Sequence, residues 1–507
     1  MTYQLHSLLR GVDLPIPCNL ANPLVLGLTC DSRYVKEGNL FLGIPGQRID
    51  GGVFWRDAIE KGCVAALISA SAAKTDNPCS EDPVAILPDP VTRWIGEIAS
   101  FYWNKPSSRI SLLGVTGTNG KTTTTYLIEH LCAALGKPTI LLGTLVNRWP
   151  GFSQTAIHTT NFADQLQENL SRSLQAGVEF GVMEVSSHAL DQNRVSGCNF
   201  SGAVFTNLTQ DHLDYHVSME EYFAVKSKLF FPPYLLPGDS RAIINVDDKW
   251  GELLAERLGK CCWRASLNQE NFQSGKAELF IKEINMQESG VSGLLVSPHG
   301  EGYFHSPLVG SFNLMNILQA TGVLLQQGLP LKLLLEKVSE FSGVPGRMEK
   351  IVPDSLNVSK IPKVFVDYAH TPDGLKNALL SLRPIAKRDI ICVFGCGGDR
   401  DRLKRPLMGS IAADFADTVF VTSDNPRTED PRHILDDVLR GIPSGKKIEV
   451  EEDREVAITK AIELAKPTDL VLIAGKGHED YQIIGKKKMD FDDRKIAMKA
   501  LKNKVKS

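Results

Sequence analysis

No two of the ten cysteines stand in a CxxC spacing, and the opening MTYQLHSLLRGV lacks the apolar core of a signal peptide. Both absences point to a reduced cytoplasm. No apolar run reaches the ~18 residues of a spanning helix, so membrane insertion is not expected. Charge of one sign is also missing. Fifty-six basic against fifty-nine acidic residues leave a net charge of −3, a balance with no field to attract nucleic acid or an anionic membrane. Nor is there a Ser-His-Asp or Cys-His arrangement of the kind that supplies a covalent nucleophile.

What is present is a 507-residue chain with 43% hydrophobic residues, a globular composition long enough for roughly three domains. Its most informative stretch is SLLGVTGTNGKTTTT, Ser111 to Thr125. The apolar run predicts a buried strand, which glycine and threonine end before a helical pattern begins near Lys121. A plain glycine turn would satisfy the backbone. The G-x-x-G-K-T order asks for more: Gly117 and Gly120 let N–H groups turn toward phosphate, and Lys121 adds a point charge. The Thr122 hydroxyl can reach Mg²⁺. Thr118, Asn119 and Thr123 complete the loop.

The chain divides into three α/β segments, 1–106, 107–345 and 346–507. In the first, VLGLTCDSR, NLFLGI and VAALIS read as strands, with Asp31, Ser32, Arg33 and Asp50 beside them. WNKPSSR interrupts the pattern. In the second, FGVMEVSS, AVFTNL and RAIINVDD pair apolar runs with polar carboxyl ends, the pattern of a parallel sheet whose ligands gather at those ends. Residues 268–306 turn polar and glycine-rich with short alternations, which predicts an antiparallel insertion without assigned chemistry. After FSGVPGRMEKI the third segment repeats the architecture in KVFVDYAH, DIICVFGCGGDR, TVFVTSDNPR and DLVLIAGKGHED. The short basic tail KNKVKS reads as a solvated end.

Glu184, closing a strand in EVSSH, is placed where a second magnesium ligand is wanted; a buried glutamate satisfied by N–H groups is the alternative. In TNLTQDHLDYH, His212 and His216 stand four apart beside Asp211 and Asp214, a spacing that also suits zinc. No third soft ligand is in register, so Mg²⁺ is favoured. Lys226 lies on a helix shortly after, and sequence rules do not raise it above Lys228.

GTNGKTTT, EVSSH, TNLTQDHLDYH, NVDD, GVPGRME, DYAHTPD, GCGGDRD, DNPR and GKGHED in this order resemble the Mur ligase family over nearly the whole chain. The resemblance implies an N-terminal UDP-sugar-binding domain, a central P-loop ATPase-type domain and a C-terminal Rossmann-like domain that reads the amino acid. It implies ATP-driven amide formation in peptidoglycan synthesis: a carboxylate takes the γ-phosphoryl group, and an amine displaces phosphate. Lys121 and Thr122 would hold phosphate and magnesium, Glu184 one magnesium and His212 a second, with Lys226 carbamylated as an anionic ligand. Asn316, Arg347 and Asp367 would contact the adenine and ribose parts of ATP, a split site that closes by hinge motion.

For a UDP-muramoyl dipeptide the matching positions are Ser32, Thr159, Thr160, Ser186, Gln192 and Arg194. One departure is Asn161, where many members carry proline after the second threonine. DNPR, Asp424, Asn425, Pro426 and Arg427, resembles members that add meso-diaminopimelate, with Arg400, Gly475 and Glu479 completing the pocket. Arginine offers a planar fork for the extra carboxylate that lysine lacks. Taken alone, DNPR also reads as a helix-starting turn. The expected partners are thus small molecules acting on a monomer. Two alternatives stand beside this reading: a folylpolyglutamate synthetase-like ligase, and a non-catalytic homologue serving as a scaffold or regulatory partner.

Overall fold

A computed structural model describes residues 1–46, 49–213, 215–353 and 361–506, apart from the side chain of Lys506. Gln47, Arg48 and Asp214, named or spanned above, lie outside the described residues, as does the terminal Ser507 of the basic tail. Three sheets organise the chain. The first runs Gly27–Thr29, Asn39–Leu42, Ala65–Ser69 and Val84–Leu87 in that order, all parallel. Each parallel step therefore needs a crossover, and short helices provide them, such as Trp55–Glu60 between Asn39–Leu42 and Ala65–Ser69 and Ala70–Thr75 between Ala65–Ser69 and Val84–Leu87.

The second sheet has eleven strands among the described residues. Its centre is the strand Ser111–Thr116, flanked in parallel by Phe180–Glu184 and Gly202–Phe205. These strands are near-continuous apolar runs because helices cover both faces. Leu113 and Val115 point to the layer formed by helices Lys121–Ala134 and Ser311–Gln326, while Leu112 points to the opposite layer with Phe200 and Leu229. The expected antiparallel insertion is present: Leu279–Gln287, Gly290–Ser297 and Gly300–Ser306 form a meander that extends the sheet at one edge. At the other edge, Val146–Trp149 and Phe152–Thr155 make a hairpin.

The third sheet has six strands among the described residues. Lys363–Asp367, Leu470–Ala474, Ile390–Phe394 and Thr418–Val421 lie parallel, in that spatial order. All four end at one rim, so Tyr368–His370, GCGGDR, TSDNPR and GKGHED cluster in space. A parallel sheet gathers its strand-end loops on one side, which is why separated motifs meet.

Candidate active site

The phosphate loop is closely packed. Gly117 has φ +145° and Gly120 φ +86°, a left-handed region that side chains with a Cβ avoid. A Cβ on Gly117 would stand 1.9 Å from Thr206 Oγ1, and one on Gly120 2.6 Å from Asn316 Oδ1. Both glycines are therefore required by space as well as by torsion. Asn207 fixes the loop from outside: its carbonyl accepts from Thr118 N at 2.9 Å, and its Oδ1 accepts from Asn119 N at 2.9 Å. Lys121 Nζ donates to Gly117 O at 2.9 Å and Thr118 O at 2.8 Å. Burial holds its ammonium pKa below the ordinary 10.5, so the cation is poised to gain from an arriving anion.

Thr122 and Thr123 are buried in the first turn of the following helix. Thr122 Oγ1 donates to Glu184 Oε2 at 3.2 Å. Glu184, 1% exposed, also accepts from Thr144 N at 2.9 Å and Thr144 Oγ1 at 3.0 Å. A hydroxyl and a carboxylate side by side at a phosphate loop are hard oxygen donors, which fit Mg²⁺. Among the described residues no three His, Cys, Asp or Glu side chains converge on a metal position.

Lys226 is 1% exposed and donates to Gly117 O at 2.9 Å, above the Tyr222 ring at 4.8 Å. Burial first, and the neighbouring Lys121 second, drive its pKa well below the ordinary 10.5. Lys228, by contrast, has a 49% exposed side chain near Asp191. His212 (φ +53°) sits in the adjoining loop, its ring edge-on to His188 at 4.9 Å and to Tyr222 at 6.2 Å. His216 turns away from it: buried, with Nε2 2.9 Å from Ser187 Oγ.

Residues expected at the nucleoside converge from two directions. Asn316 Oδ1 accepts from Thr124 Oγ1 at 3.3 Å, while its Nδ2 donates to Asn313 Oδ1 at 3.0 Å. Arg347 reaches Thr122 Oγ1 from Nη2 at 3.4 Å and lies 4.5 Å from the Tyr368 ring centroid. Its buried Nε has no hydrogen-bond partner. Asp367 accepts from Met348 N at 2.7 Å and Ala369 N at 2.8 Å, and burial raises its pKa above 3.8.

A second cluster joins the first and central sheets. Thr160 Oγ1 donates to Glu184 O at 2.8 Å and accepts from Ser186 N at 3.1 Å. With its proton given to Glu184, Thr144 Oγ1 can accept from Thr159 Oγ1, 3.2 Å away. Arg194 grips Gln192 Oε1 through Nε at 3.0 Å and Nη2 at 2.7 Å, and reaches Thr160 O through Nη1 at 3.1 Å. Asn161, at the departure from the family pattern, is buried with Oδ1 unpartnered. Cys30 N donates to Asp164 Oδ2 at 3.2 Å, which draws the Asp31-Ser32-Arg33 turn toward this cluster.

The third cluster lies at the rim of the last sheet. Asp424 and Asn425 are buried, and Asn425 Nδ2 donates to Glu479 Oε2 at 2.9 Å. Arg427 has φ +53° and donates from Nη1 to Gly398 O at 2.7 Å. Gly475 (φ +117°) passes so close that a Cβ would stand 2.8 Å from Asp424 Oδ2. A Cβ on Gly398 would stand 1.9 Å from the Pro426 carbonyl oxygen. Arg400 donates to Asp399 O at 3.2 Å. DNPR does not start the next helix: that helix is Pro431–Leu439, capped by Asp430. DNPR is instead a loop held by the hairpin Tyr481–Ile484 and Lys487–Asp490, with Arg427 N donating to Ile483 O at 3.0 Å.

Sequence reasoning missed Asn207, Tyr222, Tyr368 and Lys476. Each lies inside a quoted motif or beside a named residue, but only the fold shows which neighbour it serves.

The match to known proteins follows the same three parts. Residues 25–103 match the model of the Mur ligase family catalytic domain, 115–324 the Mur ligase middle domain, and 346–477 the Mur ligase glutamate ligase domain. The chain is 59% identical over 505 residues to a UDP-N-acetylmuramoyl-L-alanyl-D-glutamate–2,6-diaminopimelate ligase of Prochlorococcus marinus strain MIT 9313, covering 100% of both. A protein of the same name from Synechococcus sp. strain WH7803 is 59% identical, over 99% of this chain and 100% of its own. A solved structure of a ligase with that name superposes with a TM-score of 0.70 at 34% identity, over 99% of each chain. A folylpolyglutamate synthase from Mycobacterium tuberculosis, 18% identical with a TM-score of 0.59 over 76% of this chain and 92% of its own, shares the fold alone. The chain belongs to the Mur ligase family.

Proposed function

We propose that this protein joins meso-2,6-diaminopimelate to UDP-N-acetylmuramoyl-L-alanyl-D-glutamate at the expense of ATP, in cytoplasmic peptidoglycan precursor synthesis. The bond between Asn425 and Glu479 carries the reading. It supports the reading because it ties the DNPR loop to a carboxylate, an arrangement in which Arg427 would read the distal carboxylate and Glu479 the distal ammonium. The full-length relatives are named for this same addition.

The residues divide the work by charge. The phosphate loop from Gly117 to Thr123, with Lys121, binds the β- and γ-phosphates of ATP. Asn316, Arg347 and Asp367 hold its nucleoside. Ser32, Thr159, Thr160, Ser186, Gln192 and Arg194 present the UDP-sugar peptide, whose terminal carboxylate takes the γ-phosphoryl group. Asp424, Asn425, Pro426, Arg427, Arg400, Gly475 and Glu479 hold the amino acid, whose amine attacks the acyl phosphate and releases inorganic phosphate. Thr122, Glu184, His212 and Lys226 as a carbamate are the residues that would hold Mg²⁺, which supplies charge neutralisation for the phosphoryl group. Burial lowers the Lys226 ammonium pKa well below its ordinary 10.5, which raises the share of the neutral, nucleophilic amine that a carbamate requires. Closure of the third domain over the phosphate loop excludes water that would hydrolyse the acyl phosphate.

Incubation with ATP, Mg²⁺, UDP-muramoyl dipeptide and either meso-diaminopimelate or L-lysine tests this reading through phosphate release. Turnover with diaminopimelate is expected. Silence with both amines would overturn it, and a preference for lysine would overturn the role of DNPR.

A further inference from the structure

Lys476 is a fully buried lysine at the rim of the last sheet, with 0% of its side chain exposed. It is not among the residues assigned to ATP, metal or either substrate. A buried ammonium is costly unless paired and hydrogen-bonded. Here Nζ donates to Asn425 Oδ1 at 3.1 Å and Glu479 Oε2 at 3.2 Å. The rings of Tyr481 and Phe491 stand 5.5 and 6.0 Å away. The triangle closes because Asn425 Nδ2 donates to the same Glu479 Oε2 at 2.9 Å.

The chemistry of the three groups makes this arrangement directional. Lysine only donates, so the asparagine oxygen must face it. Ile483 N donates to that same Oδ1 at 2.9 Å. With its oxygen fixed by two donors, Asn425 has one orientation left, and its amide nitrogen points at Glu479. Lys476, together with Ile483 N, thereby fixes which way round Asn425 sits, and it alone of the two also holds the Glu479 carboxylate. It pairs directly with that carboxylate, Nζ to Glu479 Oε2 at 3.2 Å.

We propose that Lys476 is the positioning residue of the amino-acid pocket: it orients Asn425 and Glu479 for the incoming amino acid without touching it. This rests on the diaminopimelate reading given above. The loop Gly475–Gly477 is what allows it. Gly475 (φ +117°) and Gly477 (φ +53°) flank Lys476. A Cβ on Gly477 would meet Gly346 O at 2.6 Å, so the turn that drives Lys476 inward also packs on the linker to the central domain.

Steady-state kinetics of Lys476→Met, Lys476→Arg and Glu479→Gln, each checked by thermal melting, test the proposal. Lys476→Met is expected to raise KM for diaminopimelate roughly tenfold or more, with KM for ATP within about twofold, because a buried acceptor loses its fixed partner. Lys476→Arg, still a donor-only cation, is expected to recover most of that loss. In the Glu479→Gln background the Met substitution should add little, since lysine acts through Glu479. A folded Met variant with unchanged diaminopimelate KM, parallel rises for ATP and diaminopimelate, or full additivity with Glu479→Gln would each overturn the assignment. If Lys476→Met does not fold, Lys476→Gln takes its place with the same expected and overturning outcomes. Absence of diaminopimelate turnover in the unsubstituted protein would instead refute the function itself.

Discussion

Asn119 of the phosphate loop donates its side-chain amide to Asp373 of the third domain at 3.2 Å, across 254 positions of sequence. Asp373 opens the helix Pro372–Leu382 and also accepts from Asn377 Nδ2 at 3.1 Å. Asn119 is held on its own side by Asn207. The phosphate loop is therefore in direct contact with the helix that follows DYAH in the third segment. This contact is a physical route by which the third domain senses the phosphate loop.

Asp373→Ala should loosen that docking. Loss of a partly exposed hydrogen bond to a charged group is worth about 1 kcal/mol, which corresponds to roughly fivefold in the docked population. Small-angle scattering of the ligand-free variant should show a larger radius of gyration, and kcat should fall by a similar factor. An unchanged radius and unchanged kcat would show that the contact does not hold the domains together.

Lys226 and Lys228 show what the sequence could and could not convey. Both sit in AVKSKLFF with the same chemistry, and nothing in the pattern ranks them. The fold buries one against Gly117 and leaves the other with a 49% exposed side chain. Parallel strands were legible because each is an apolar run ended by polar text, and the phosphate loop because its glycines answer a local torsional demand. Contacts such as Asn119 with Asp373, or Lys476 with Asn425, join loops from separate strands. No local periodicity encodes them, so only the register of the sheets brings them together. DNPR is the clearest case. Its proline suggests a helix start, yet the helix begins only at Pro431, because the hairpin at Tyr481–Ile484 claims the loop first.

Lys226 should carry a carbamate. Burial beside the phosphate loop lowers its pKa and so raises the share of neutral amine, the form that reacts with carbon dioxide. Protein equilibrated with ¹³C-bicarbonate should give a carbamate carbon resonance that is lost in Lys226→Ala. Added short carboxylates should restore part of the variant's activity by replacing the missing anion. No resonance in the intact protein would refute the modification.

Arg427→Ala should separate the two small-molecule sites. Arg427 lies on the DNPR loop and donates to Gly398 O, far in sequence and in sheet from the phosphate loop. Removing one partner of a charged hydrogen-bonded pair costs on the order of 2–5 kcal/mol. Diaminopimelate KM should rise accordingly while ATP affinity is kept. Equal losses for both substrates would place Arg427 in a structural role.

Glu429 braces this pocket from behind, and its pairing makes stability depend on pH. Arg405, buried, donates to Glu429 Oε1 from Nη2 at 2.8 Å and to Oε2 from Nη1 at 3.1 Å. Arg405 Nη2 also reaches Gly397 O at 3.3 Å, tying the brace to the glycine loop facing DNPR. The Arg405 hydrogen bonds lead the causes that hold the Glu429 carboxyl down at about 2, against an ordinary 4.5. A carboxylate with a depressed folded pKa stabilises the fold above its unfolded value and loses that contribution as pH falls through the folded one. Glu429→Gln should therefore melt at a lower temperature than the unsubstituted protein at pH 7, and the gap should narrow as pH drops from about 4.5 toward 2. Calorimetric melts of both proteins across that window check the sign. A gap that stayed constant with pH would mean that Glu429 acts through packing and not through its charge.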